Sequence, residues 1–136
     1  MPLTTGEVPA ELRPFVRQRT IVLETRRRNG EWVPTPVSIV VDGDHAYFRT
    51  YAKAGKTKRL NNFHDVRFAP STFRGRPTGP VVRAQATRVD GAESATAAAL
   101  LRRKYPVLHR FLVPLTHRIW RTQTLHYRLD DFAADE

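Results

Sequence analysis

The sequence predicts a mainly β fold with helices, built as a six-stranded antiparallel barrel, and three observations carry that expectation. Short β-branched and aromatic runs recur along the chain, each closed by Gly, Pro, Asn or Asp turn signals. The helical stretches fall late, between the fifth and sixth runs. Six short strands left as an open sheet would expose two edges, and closure removes them. At 136 residues the chain has the size of one domain with one core, so residues 1–136 are read as a single unit.

Taken in order, residues 9–18, PAELRPFVRQ, can form a short helix with Leu12, Phe15 and Val16 on one face. RTIVLETR (19–26) is a strand, and Asn29-Gly30 supplies positive φ for the hairpin turn that follows. EWVPTPVSIVV is the second strand; DGDH turns the chain into AYFRT, the third. Residues 52–62 form a basic linker or short helix. HDVRFAP (64–70) and PVVRAQATRV (80–89) are strands four and five, joined by the loop STFRGRPTG. ESATAAALLRRKY (93–105) reads as helix, with Asp90 or Ser94 near its start and Pro106 past its end. Leu108, Phe111, Leu112, Leu115 and Ile119 give the next segment one apolar helical face, with a kink at Pro114. TQTLHYRL is the sixth strand.

Composition narrows the function classes. No apolar run approaches the roughly 20 residues needed to span a bilayer. The N-terminal stretch has neither a charged nor an apolar signal region, so a cytoplasmic location is expected. With no cysteine, a disulfide framework, a thiolate metal site and a cysteine nucleophile are all excluded. The five histidines, His45, His64, His109, His117 and His126, form no HxH or HExxH grouping, so no metal site is expected. Against 13 Asp and Glu stand 23 Lys and Arg, 19 of them Arg, for a net charge of +10. An anionic partner follows: nucleic acid, a phosphorylated cofactor or an acidic membrane surface.

Two stretches carry candidate chemistry. In VPTPVSIVV, Pro34 and Pro36 lie two apart, so both missing N–H groups fall on one side of the strand, which cannot be fully paired. That side is either a guarded sheet edge or a groove where Val37 and Ser38 offer main-chain groups to a flat ligand. In AYFRTYAKAGKTKRLNN, Arg49 and Thr50 end a strand, and Gly55 and Lys56 open a possible helix. A phosphate needs directed donors and compensating charge. An Arg fork, a Thr hydroxyl and a helix N-terminus supply both. The spacing is neither that of a Walker A loop nor of a dinucleotide fingerprint, and a solvated basic helix is the competing reading.

The order NG, TPV, YFRT, GKTKRL, AP, RGRPTGP and a late A.RV.DG resembles the pyridoxamine 5′-phosphate oxidase-like flavin and deazaflavin oxidoreductases. Within them it is most similar to the group of F₄₂₀-dependent enzymes. The resemblance implies an FMN-binding split-barrel-like fold and a homodimer with cofactor sites between the barrels. It implies an oxidoreductase that transfers a hydride between coenzyme F₄₂₀ and a small organic acceptor. The ring would lie against Pro36, Val37 and Ser38. The phosphate would be received by Arg49, Thr50 and Lys56, beside Gly55, while Lys58 is a tail contact or a solvated charge. Arg74, on the Gly/Pro loop, would reach towards a polyanionic cofactor. No catalytic residue is assigned, because the cofactor carries the electrons. Two alternatives remain: an FMN-binding relative, and a basic barrel that binds nucleic acid through Tyr47, Phe48 and Tyr51. Strand alternation counts against the second, since Phe48 faces away from the two tyrosines.

Overall fold

Turn residues cut the chain into strands close to where the sequence places them. In the computed structural model, residues 7–51, 55–105 and 124–135 are described. The strands are β1 (Thr20–Arg26), β2 (Trp32–Asp42), β3 (His45–Tyr51), β4 (Asp65–Pro70), β5 (Val82–Val89) and β6 (Thr124–Ala134), with helices α1 (Gly55–Asn62) and α2 (Gly91–Lys104). They close into a barrel in the order β1-β2-β3-β6-β5-β4, every pairing antiparallel. The β1–β2 hairpin turns through Gly30 at φ +90°, with the Gly30 N–H donating to the Arg27 carbonyl at 2.9 Å. This is the three-residue loop with glycine at the left-handed position. The apolar segment expected after Pro106, including Leu108, Phe111, Leu112, Leu115, Ile119 and Trp120, lies outside the described residues, as do residues 52–54.

Alternation along the strands sorts side chains into two clusters. Ile21, Leu23, Ile39, Phe48, Phe68, Ala84, Ala86, Tyr127 and Leu129 fill the barrel. Phe48 and Tyr127 stack at 5.3 Å between ring centroids. Leu12 and Phe15 join this core from a 3₁₀ turn, Arg13–Phe15, and the Phe15 ring lies 4.8 Å from that of Phe68. The helix expected over 9–18 is reduced to this turn. Pro14 cannot donate a helical hydrogen bond and biases Arg13 away from the α region. Val16 consequently points outward and is 46 % exposed.

Outside the barrel, Ala97 and Leu101 of α2, with Tyr105 at its C-cap, cover Val40, Tyr47 and Val89. The end of α2 is pinned to the sheet. Lys104 Nζ donates to the carbonyls of Gln18 (2.6 Å) and Ile39 (2.8 Å), and the Tyr105 hydroxyl, with one proton to give, lies within hydrogen-bonding distance of those of Arg19 (2.7 Å) and Ile39 (2.6 Å).

One ladder is cut short. β2 pairs with β3 only from Ile39↔Phe48 to Asp42↔His45, while β3 runs on against β6 as Arg49↔His126, Thr50↔Leu125 and Tyr51↔Thr124. The Ile39 N–H bonds the Arg19 carbonyl, so odd-numbered residues of β2 face β1 and Pro34 and Pro36 face the other way. Among the described residues no strand lies on that side of either proline.

Candidate functional site

The fork between β2 and β3 opens a cleft of about 280 Å³ on the outer surface, lined by Thr20, Pro36, Val37, Ser38, Arg49, Thr50 and Phe73. Its position follows from the two prolines. Without N–H groups they leave β2 an edge that no strand can complete, and the β2–β3 ladder stops at Ile39↔Phe48. Val37 turns into the core, so its neighbours Pro36 and Ser38 present their side chains outward.

Arg49 and Thr50 both line the cleft, but alternation sends their side chains to opposite faces. Arg49 lies outside, across from His126 in the ladder. Thr50 follows Phe48 inward and is 1 % exposed; its Oγ1 is buried with no hydrogen-bond partner among the described residues. The two side chains therefore do not form one donor pair.

Gly55 and Lys58 belong to a second cleft of about 330 Å³, lined also by Arg27, Arg28, Arg59 and Asn62. Four cations meet there. The Glu31 carboxylate is 3.9 Å from Arg27. Arg59 is anchored by a 2.6 Å hydrogen bond from Nε to Thr25 Oγ1, and its guanidinium lies back over Gly55, where a Cβ would stand 3.0 Å from Nη1. Burial, and then the charge of Arg27, pull the Arg59 pKa down. Lys56 belongs to the first turn of α1. Arg74 lines neither cleft; its guanidinium lies 5.5 Å from the Phe73 ring.

Thr20 and Phe73 were not singled out from sequence. A large apolar residue inside the turn-rich loop STFRGRPTG was the available signal for Phe73, since such a loop has no core of its own to fill. Two further groupings are structural. Tyr47 donates to Glu93 at 2.9 Å, and Arg128 bonds Glu93 and Asp130 at 2.7 Å each. Burial opposes ionisation of Glu93, yet the hydrogen bonds from Tyr47 and Arg128 hold its carboxyl below the usual range. Trp32 lies between the guanidinium groups of Arg26 (4.6 Å) and Arg67 (4.3 Å), which pair with Asp65 and Glu24. Tyr47 and Phe48 are buried at 2 % and 0 % exposure, so neither offers a face to a nucleobase.

No protein-family model and no curated protein matches the chain. Solved structures do. A protein of unknown function from Agrobacterium tumefaciens aligns with a TM-score of 0.66 at 19 % identity, over 99 % of this chain and 61 % of that one. The chain thus spans less than two thirds of that protein's length. The heme storage protein HutZ from Vibrio cholerae aligns at 0.59 and 13 % identity, over 94 % of each chain. A candidate pyridoxamine 5′-phosphate oxidase from Listeria innocua aligns at 0.58 and 9 % identity, over 93 % of this chain and 98 % of the other. The fold is therefore the split barrel of the pyridoxamine 5′-phosphate oxidase-like proteins. Among the described residues no helix is long and apolar enough to cross a membrane.

Proposed function

We propose that the protein is an oxidoreductase that transfers a hydride between coenzyme F₄₂₀ and a small organic acceptor, with the cofactor held between two copies of the chain. The observation that carries this reading is the cleft at the β2–β3 fork, where an edge closed to strand addition meets Arg49 and Thr50. The residues fit such a group. Pro36, Val37 and Ser38 make a flat wall for a ring, and Arg49 brings a cation to the same cleft. When bound, a deazaflavin supplies the hydride, and the protein's part is binding, orientation and exclusion of water.

The phosphate is assigned to Arg49 and Lys56, with the backbone of Gly55 at the start of α1; Thr50 lines the cleft beside them with its hydroxyl turned inward. Lys58, with Arg27, Arg28 and Arg59 of the second cleft, takes the anionic tail, and Arg74 adds charge from its loop. A single phosphate would not require that second cleft, and this favours F₄₂₀ over FMN. The fork cleft lies just below the 300–1,000 Å³ typical of small-molecule sites, so a tricyclic ring needs a second wall, which the homodimer provides. A haem ligand fits less well, because no described histidine lines the cleft.

Titration with F₄₂₀ and with FMN, followed by ring fluorescence at physiological salt, tests the reading. F₄₂₀ is expected to bind more tightly. Equal or tighter FMN binding overturns the preference, and binding of neither overturns the cofactor assignment.

A further inference from the structure

A single exposed aromatic on a surface needs no explanation. Phe73 differs in its placement and in how it is held. It is 77 % exposed, yet it is one of the residues lining the fork cleft. Its loop is tied down on both sides of it. The Thr72 N–H donates to the Arg76 carbonyl and the Gly75 N–H to the Thr72 carbonyl, each at 2.9 Å, and the Thr78 N–H to the Pro70 carbonyl at 2.7 Å. Ser71 forms a β-bridge with Pro77. Gln18 Nε2 holds the Ser71 carbonyl at 3.0 Å. Gly75 adopts φ +92° against the Pro36 ring, 3.6 Å from where its Cβ would be. The backbone that carries the phenyl ring is thus held beside the cleft, while the ring itself is packed into nothing.

We infer that Phe73 is the stacking wall of the fork cleft. It covers part of a flat conjugated ring whose other contacts are the Pro36–Ser38 edge. The charge around it suits that occupant: Arg74 lies 5.5 Å from the phenyl ring, and Arg49 lines the same cleft, so a conjugated ring carrying an anionic group meets aromatic and cationic surface together. Because the backbone beneath it is already held, contact costs only the freedom of the two χ angles of a phenylalanine, which is why a rigid loop serves here better than a mobile one. The inference rests on the cofactor reading above and adds a residue to it.

The test uses the full chain with three probes: lumiflavin, which has the ring without a phosphate, FMN and F₄₂₀. Phe73→Ala is expected to weaken lumiflavin binding about three- to tenfold, as loss of an aromatic stacking contact does, and the other two ligands by a similar factor. Phe73→Trp should restore affinity. Lys56→Ala should weaken only the phosphate-bearing ligands. Wild-type affinity in Phe73→Ala, with wild-type protein binding all three probes, overturns the stacking role and leaves the cofactor reading standing. Tighter binding of FMN than F₄₂₀, with the Phe73→Ala loss still present, overturns the F₄₂₀ preference and supports the stacking role. No binding of any probe to wild type overturns both. Light scattering on Phe73→Ala closes the remaining route: a fall in particle mass makes Phe73 a subunit contact and overturns the inference.

Discussion

Lys104 has two carbonyl partners and, among the described residues, no carboxylate. Burial lowers its pKa from 10.5 to about 8. Across that interval the unfolded chain binds a proton that the folded chain lacks, so stability rises with pH. Tyr105, pushed up by burial from 10.0 to about 12, acts in the opposite sense above its unfolded value. The window to examine is therefore about pH 8 to about pH 10. Urea denaturation should show the midpoint rising across it, and Lys104→Met should flatten the rise. Lys56 and Lys58 test the phosphate assignment. Lys56→Ala should weaken F₄₂₀ binding by about 1.5–3 kcal/mol, the range for a charged hydrogen bond. Lys58→Ala should cost about 0–1 kcal/mol and lose that effect as salt rises. Fluorescence titration of both variants at low and high salt separates them. Equal, wild-type affinity in both would make these lysines plain surface charge.

Among the elements, the 3₁₀ turn and the loop 71–79 carry different burdens. Phe15 is 1 % exposed, and its ring packs on Phe68. Phe15→Ala should destabilise the fold by about 3–5 kcal/mol in chemical denaturation. Gly75→Ala forces an L side chain to φ +92° and should cost about 1–2 kcal/mol, although its Cβ would meet Pro36 at an ordinary 3.6 Å. The six strands and α2 were legible because alternation and turn residues are local signals. Gly30 and Gly43 sit at positive φ where NG and DG stand in the sequence. The length of the N-terminal helix was misread because three apolar residues at helical spacing outweighed Pro14. At the candidate site, the β2 edge was legible in two prolines. The division of the cations between two clefts was not, because it depends on where Arg27 and Arg28 of one hairpin lie relative to α1.

At the scale of the whole molecule, the fork cleft faces outward and is shallow, so the cofactor reading requires a second copy. Light scattering on dilute protein should give a particle of twice 15.6 kDa. A monomer of 15.6 kDa that still binds F₄₂₀ would show that one chain suffices. The charge of +10 belongs to the molecule rather than to any one group, and it should speed capture of a polyanionic ligand at low salt. Stopped-flow association rates measured at two ionic strengths read that effect directly.

The barrel has one more property, set by chain order. β6 pairs with both β3 and β5, and it is the last of the six strands to be synthesised. A growing chain therefore holds five strands with two open rims until residues 124–134 leave the ribosome. Among the described residues no other strand takes that place, and Leu125, Tyr127 and Leu129 are core residues that come with β6. Nascent chains halted before Thr124 should stay open to protease, and protection should appear in one step once Ala134 has emerged. Slow translation over the preceding stretch would lengthen the vulnerable interval, making the speed of decoding there a determinant of yield.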